Sequence, residues 1–321
     1  MKDYSENFAG WCEDCVTITD KLTGLAVPFR LNRPQRRLAE IMERERRARR
    51  PIRIILLKAR QWGGSTLVQT YMAWMQLVRH EGWNSLICAH VKDAAAGIKG
   101  MYSMLLKCYP AEMKEGKKED WKFAPYEKSQ SVSYIPARGC RVAVGSAQAP
   151  DALRGGSYQM AHLSEAAFWN SDGARTASQV VRMVSGTIPP LPDTLVAVES
   201  TANGEGDYFH GEWIRAVKGK SDKIPVFVPW HEIEIYSHRL HPGEWEEMLP
   251  QLTDYERGML RDGIAKENVA WYHLKRREYA TDGEMMAEFP TTPEEAFATS
   301  GGDPEFPDCG PVAPCDFIPE Y

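Results

Sequence analysis

Ile52-Arg53-Ile54-Ile55-Leu56-Leu57-Lys58-Ala59-Arg60-Gln61-Trp62-Gly63-Gly64-Ser65-Thr66 is an apolar run that stops at a charge and then at two glycines. Ile54 to Leu57 is the short unbroken apolar stretch of a parallel strand covered on both faces, since a half-exposed strand would alternate instead. Gly63 and Gly64 let the backbone close tightly, and Ser65-Thr66 open a helix whose free N–H groups face an anion. Strand, glycine turn and helix N-terminus in that order form the mechanical core of a phosphate-binding loop. The usual Gly-Lys-Ser/Thr ending is replaced by Gly63-Gly64-Ser65, so no lysine stands between glycine and hydroxyl.

The rest of the composition frames that stretch. A chain of 321 residues, 43% hydrophobic and 26% charged, can bury one large core and carry an appended subdomain. Its longest apolar runs stop well short of the roughly 18 residues that span a bilayer, and no apolar h-region follows Met1-Lys2-Asp3. A cytoplasmic location without membrane contact is therefore expected. Seven cysteines, an odd number, argue against a disulfide framework, and Cys12-x-x-Cys15 with Cys309-x5-Cys315 make only two incomplete zinc half-sites. The net charge of −5 excludes a surface that coats nucleic acid throughout. One local run is basic: Arg36, Arg37, Arg44, Arg46, Arg47, Arg49, Arg50, Arg53, Lys58 and Arg60. It reads either as a solvated helix face or as an edge that contacts DNA phosphates.

Upstream of the loop, residues 1–30 read as irregular, with a short strand at Val16-Thr17-Ile18-Thr19. Asn32 suits an N-cap and Pro34 a first turn, so a helix starts there and runs to the arginine run and Pro51. Gln35 sits on that first turn, where its amide has both a donor and an acceptor edge to offer an adenine. Downstream, a helix from Ser65 ends near Gly82, a strand covers 85–90, and a helix covers about 94–108. Strand and helix alternating in this way mean a doubly wound α/β sheet. Residues 110–131 read as a surface excursion, and Val132–Ile135 and Arg141–Gly145 as strands joined through Pro136 and Gly139.

Two more apolar stretches discharge into chemistry. Residues 157–169 end a strand at Ser164-Glu165, where P-loop ATPases place a magnesium-side carboxylate and a water-polarising glutamate. The first of those positions is a serine here, which leaves Glu165 as the candidate for orienting or deprotonating water. The competing reading is a strand-end glutamate that caps the next helix. Residues 194–204 end a strand at Glu199-Ser200-Thr201-Ala202-Asn203-Gly204, with hydroxyls in the crevice where doubly wound sheets bind ligands. Ser200 and Thr201 either sense a γ-phosphate or close a tight turn. Between the two stretches, Ala152-Leu153-Arg154-Gly155-Gly156 is a loop with one guanidinium.

Four segments together resemble one family. Lys58-Ala-Arg-Gln-Trp-Gly-Gly-Ser-Thr66, Leu163-Ser-Glu-Ala-Ala-Phe-Trp169, Glu199-Ser-Thr-Ala-Asn-Gly204 and Glu288-Phe-Pro-Thr-Thr-Pro-Glu-Glu-Ala-Phe297 are similar to the large terminase subunits of tailed bacteriophages, the motors that package DNA. The likeness covers about residues 29–300. It implies a P-loop NTPase of the ASCE type: an α/β fold with a mainly parallel central sheet flanked by helices, plus a small lid subdomain. The implied division is a core over 1–225 with an adenine-binding segment near 29–40, a lid over 226–298, and a linker over 299–321.

The same resemblance implies ATP and Mg2+, with a nucleotide-binding set of Gln35, Lys58, Ala59, Arg60, Gln61, Trp62, Gly63, Gly64, Ser65 and Thr66. In it Lys58 replaces the lysine absent at Gly64, and Gln35 reads the adenine. Arg60 is the family's loop arginine, a finger in cis, and Arg154 is a second candidate for finger or sensor. Ser65, with Thr66 as the substitute, ligates magnesium, and Glu165 is both the catalytic carboxylate and a partly water-mediated magnesium contact. Ser200, Thr201 and Ala202 match the coupling motif. The implied partners are double-stranded DNA, the portal protein, the small terminase subunit and further copies in a homo-oligomeric ring, in the host cytoplasm and docked transiently on a procapsid.

Two departures qualify the likeness. Ser164 stands where many relatives carry Asp, so magnesium is expected to depend more on Ser65, phosphates and water. The family continues into a nuclease, whereas this chain reaches Tyr321 just after a Pro- and Gly-rich stretch; an isolated ATPase half without DNA cleavage is the expectation. Residues 224–230 read as a last sheet strand and 244–280 as lid helices, with Lys275-Arg276-Arg277 as a DNA or neighbour contact or a solvated face. A superfamily-2-like helicase or remodeller, and a non-hydrolysing assembly scaffold with a degenerate loop, are the competing functions.

Overall fold

The computed structural model describes residues 2–20, 23–127, 129–150, 156–169 and 175–298. Helix α1 (Phe8–Cys15) is capped by the Asn7 side chain and followed by an antiparallel ribbon of β1 (Thr17–Thr19) and β2 (Ala26–Pro28). The first thirty residues are thus more regular than expected. Phe8, Trp11, Cys12 and Cys15 are buried against the body, with Phe8 edge-on to Tyr71 and Trp11 Nε1 donating to Tyr109 Oη at 3.2 Å.

Helix α2 (Arg33–Arg47) starts where Asn32 and Pro34 indicate. The Asn32 side chain accepts from Gln35 N, and the Gln35 side chain accepts from Asn32 N, a reciprocal capping box. Strand β3 (Ile52–Lys58) is buried at every residue and leads through the glycine turn into α3 (Gly64–Trp74), which widens into a π-helical turn at Met75–Arg79. Next come β4 (Asn84–Ala89) and α4 (Lys92–Cys108), then β5 (Ala124–Tyr126), β6 (Ser129–Ile135) and β7 (Cys140–Ser146). The expected surface excursion over 110–131 therefore ends in two strands that extend the sheet. Strand β8 (Met160–Ser164), helix α5 (Ala177–Ser185), strand β9 (Leu195–Ser200), helix α6 (Tyr208–Val217) and strand β10 (Ile224–Val228) complete the body.

The eight strands lie in the order β10-β3-β9-β8-β4-β7-β6-β5. Neighbours from β10 to β7 pair in parallel, and the β7–β6 and β6–β5 pairs are antiparallel. Alternation along β3 explains its unbroken apolar run. Ile52, Ile54 and Leu56 enter one core with α3 and α4, whereas Ile55 and Leu57 enter a second core with α5 and α6. Strand β9 lies between the strand that feeds the loop and the strand that feeds Glu165.

Short helices follow β10: α7 (Glu244–Met248), α8 (Asp254–Arg261), α9 (Lys266–Arg276), α10 (Asp282–Glu288) and α11 (Pro293–Phe297). A boundary after residue 225 falls inside β10, whose Val226 to Val228 still pair with β3, so the helical unit begins after Val228. Its aromatic residues Trp230, Tyr236, Tyr272 and Phe289 belong to the same core as Ile54 and Leu56. Residues 299–321, the expected linker, lie outside the described residues. Among the described residues no helix is long and apolar enough to cross a membrane.

Candidate active site

The parallel strands β3, β9 and β8 end side by side, and their two-residue alternation decides what meets there. Ile52, Ile54 and Leu56 on β3, Leu195 and Ala197 on β9, and Met160 on β8 all face the α3 side. Continuing each count by twos brings Lys58, Glu199, His162 and Ser164 to that same face. The side chains confirm it. Lys58, buried, donates from Nζ to Glu165 Oε1 at 2.9 Å. Burial disfavours the ammonium, but the Glu199 and Glu165 charges outweigh it and hold the lysine above its ordinary pKa.

Glu165 stands one residue beyond β8 in the left-handed region, φ +55°. A side chain held there costs about 1–3 kcal/mol, a strain that surrounding structure must impose. The turn returns the carboxylate over the strand ends, where Oε2 accepts from Ser200 Oγ at 3.4 Å. Glu165 makes no side-chain cap to the following 3-10 turn, so the capping alternative does not hold.

Glu199 had no assigned role in the sequence reading, yet it is the centre of the cluster. It is fully buried, and its Oε1 accepts from Ser65 Oγ in a short bond, accepts from Ser164 Oγ at 3.1 Å and lies 2.8 Å from His162 Nε2. His162 Nδ1 in turn lies 2.7 Å from Gln69 Nε2 on α3. Burial alone would push the carboxyl up, but Lys58, His162 and Ser65 prevail and hold it at about 2. Its second oxygen, Oε2, is buried without any hydrogen-bond partner. The signal available in the sequence was parity: Glu199 falls on the α3 face of an otherwise apolar strand.

The loop itself is built around backbone that only glycine suits. Gly63 has φ +83°, and a Cβ there would lie 2.6 Å from Gln35 Nε2. A Cβ on Gly64 would come within 2.5 Å of the buried Trp62 ring, so the indole occupies the space a side chain at 64 would need. Gln61 also adopts positive φ, at +57°. Ala59, fully buried, donates its N–H to Val228 O at 2.9 Å and seats the start of the loop on β10.

Gln35 lies against this loop but not with a free edge. Its Nε2 donates to Gly63 O at 3.0 Å and its Oε1 accepts from Asn32 N at 3.0 Å, so in this conformation the amide buckles the loop to α2. It also lines a cavity of about 730 Å³ together with Trp62, Gly63, Thr66 and Met101.

Other expected residues divide sharply. Ser65 reaches the carboxylate cluster, whereas Thr66 Oγ1 donates to Met101 Sδ at 3.1 Å and faces away from it. Arg60, about half exposed, pairs with Glu288 Oε1 at 3.0 Å, its N–H donates to Glu288 O at 3.1 Å, and its carbonyl accepts from Tyr236 Oη. The guanidinium is thus directed to α10 and not to the Lys58–Glu165 pair. Ser200, Thr201 and Ala202 are all buried, and Ser200 Oγ accepts from Ala167 N at 3.2 Å, joining two strand ends. Arg154 lies outside the described residues.

The basic run is largely engaged within the fold. Arg46 pairs with Glu43 at 2.9 Å and with Glu6 at 2.6 Å, Arg37 with Glu232 at 2.8 Å, and Arg50 with Glu45 at 2.6 Å. Arg53 donates to the Ile52 and Thr194 carbonyls at 3.0 Å. Lys275 pairs with Glu278, Arg276 with Asp282, and Arg277 lies 3.2 Å from His273 Nε2. Cys12 and Cys15 are buried free thiols whose pKa burial pushes up, to about 11 for Cys15. Cys309 and Cys315 lie outside the described residues.

For a divalent cation, the donors at the strand ends are oxygens: Ser65, Ser164, Glu199 and Glu165. These are the ligands a hard ion such as magnesium takes, and the unpartnered Glu199 Oε2 fits them. Among the described residues no group of three or more His, Cys, Asp or Glu could hold a metal ion by itself.

A glycine loop between strand and helix, facing a glutamate across an inserted strand, is the arrangement of a P-loop NTPase fold of the ASCE type. Within that class the chain is similar to phage large terminases. It matches the large terminase of bacteriophage HK97 with a TM-score of 0.54 and 16% identity, over 83% of this chain and 55% of that one. The large terminase ATPase domain of Thermus phage P74-26 matches at TM-score 0.48 and 17% identity, over 81% of this chain and 93% of that one. The large terminase of the thermophilic bacteriophage D6E, in complex with ADP, matches at TM-score 0.48 and 10% identity, over 80% and 52%. The chain thus spans about half the length of the HK97 and D6E proteins. No family model and no curated protein sequence matches it.

Proposed function

We propose that this chain is the ATP-hydrolysing motor domain of a viral large terminase, which drives double-stranded DNA into a procapsid. The observation that carries the reading is the Lys58 Nζ to Glu165 Oε1 contact of 2.9 Å at the mouth of the glycine loop. It puts a cation and a general base in contact, beside backbone N–H groups that open α3. A triphosphate entering the loop takes the Lys58 ammonium onto its oxygens. Glu165, released, orients the attacking water and accepts its proton as the water oxygen bonds to the γ-phosphorus and the bond to the bridging oxygen breaks. Magnesium, when bound by Ser65 with Glu165 contacting it partly through water, supplies charge neutralisation on the phosphate oxygens.

Ser200 ties Glu165 Oε2 to Ala167 N, so movement of the carboxylate reaches the β8 and β9 ends together. Arg60 ties the loop to Glu288, so the loop's state reaches the helical unit after β10. Those two links are the proposed route from hydrolysis to motion. The proposed partners are the portal protein, the small terminase subunit and further copies in a ring, and the proposed setting is the host cytoplasm with transient docking on the procapsid.

The test is ATP turnover by the wild-type protein and by Glu165→Gln, each with duplex DNA and portal-bearing procapsids. DNA-stimulated turnover lost in the variant, with no strand separation, supports the motor. Equal, negligible turnover in both leaves a scaffold, and unwinding of the duplex leaves a helicase.

A further inference from the structure

We infer that Glu199, on β9, supplies the magnesium-side carboxylate that β8 lacks at Ser164, acting through the Ser65 hydroxyl as a positioning residue. The inference rests on the nucleotide-site reading above and adds to it where the acidic charge comes from.

Register makes the substitution geometrically simple. Ser164 and Glu199 are direct neighbours across the parallel β8–β9 pair, on the same face. The longer glutamate side chain, one strand nearer the loop, therefore delivers a carboxylate to the space an aspartate at 164 would fill. Its Oε1 gathers Ser164 Oγ and Ser65 Oγ. A hydroxyl that donates its proton to a carboxylate turns its lone pairs outward, which is what a cation-binding serine must do. His162, steadied by Gln69, holds the same oxygen from behind at 2.8 Å, the kind of outer support that fixes a ligand's orientation.

Two further observations separate this role from simple core filling. The Lys58 ammonium bonds Glu165 rather than Glu199, so the buried carboxylate has no direct ion pair with the lysine. Its Oε2 is buried without a partner, a desolvation that a purely structural role leaves uncompensated. A cation recruited with the nucleotide at the Ser65 hydroxyl offsets that buried charge from one atom away.

The experiment uses the full chain and a fluorescent ADP analogue, with Kd measured in EDTA and in Mg2+. The ratio of the two gives the magnesium factor. Glu199→Gln is expected to reduce that factor by about 10- to 100-fold while leaving the EDTA value nearly unchanged. Adding Ser164→Asp to Glu199→Gln is expected to return most of it, because the charge comes back from the neighbouring strand. A retained factor in Glu199→Gln, or no recovery in the double variant, overturns the inference. If Glu199→Gln does not fold, Glu199→Asp replaces it: the charge stays but the carboxylate withdraws by about 1.5 Å, one C–C bond, and an unchanged factor overturns the inference. Failure of the wild type to bind the analogue in either condition is a different result, since it removes the nucleotide-site reading itself.

Discussion

Helix α2 and the strand-end cluster are both dense in charge, and they treat it in opposite ways. On α2, Arg46 sits between Glu43 and Glu6, and Glu43 also accepts from Tyr71 Oη, so both Glu43 oxygens and the Arg46 guanidinium have partners. At the strand ends, Lys58, Glu165 and Glu199 are equally close-packed, yet Glu199 keeps a buried oxygen with no partner and Glu165 keeps strained backbone. Charge density marks both regions. What separates them is whether the charges are satisfied, because a closed network holds a fold together whereas an incomplete one awaits a ligand.

The comparison breaks most decisively through chemistry. Glu165→Gln is expected to lower ATP turnover by about 10²- to 10⁴-fold, the range for losing a general base, while nucleotide binding persists. On α2 the corresponding loss is in stability. Arg46→Ala removes the two charge-assisted hydrogen bonds to buried Glu43, leaving it the Tyr71 hydroxyl and the exposed Arg47, and is expected to cost about 1.5–3 kcal/mol in chemical denaturation, with catalysis per folded molecule unchanged. Gly64→Ala sharpens the loop side: its methyl meets the Trp62 ring, an overpacking of about 1–3 kcal/mol in thermal melts.

A smaller effect concerns pH. Glu6 is held at about 2, below the 4.5 of an ordinary glutamate, by hydrogen bonds from Arg46 and Arg79. A depressed carboxyl stabilises the native state fully above its unfolded pKa and loses that contribution as pH falls through the folded one. The protection of α1 amides, taken relative to their intrinsic exchange rates, is therefore expected to fall as pH drops from 4.5 toward 2, and Glu6→Gln to flatten that dependence. Arg47→Ala, removing an exposed guanidinium 3.7 Å from Glu43, is expected to change stability by less than about 1 kcal/mol, the weakest effect of the set.

Much of this architecture is legible in local sequence, because it depends on local rules. Asn32 and Pro34 start α2, and the apolar run makes β3. The features that local sequence does not show depend on partners far along the chain. The contact of the Gln35 amide with Gly63 O, 28 residues away, is one of them. Arg60 pairs with Glu288 far along the chain, and Arg46 and Arg37 of the arginine run pair with glutamates of α2 and its surroundings, contacts that no local rule shows. Glu199 is the instructive case between the two. Its face follows from counting by twos along β9, but its role needs Ser164 beside it on β8, which only strand order shows.

The central claim is that the loop's cation has moved from position 64 to Lys58, with Trp62 filling the vacated space. The direct test is DNA-stimulated ATP hydrolysis by Lys58→Ala beside the wild type, with melting curves to confirm that both are folded. Turnover reduced to background in a folded Lys58→Ala, and not restored by adding Gly64→Lys, is the result the account predicts. Turnover close to the wild-type rate in Lys58→Ala would contradict it.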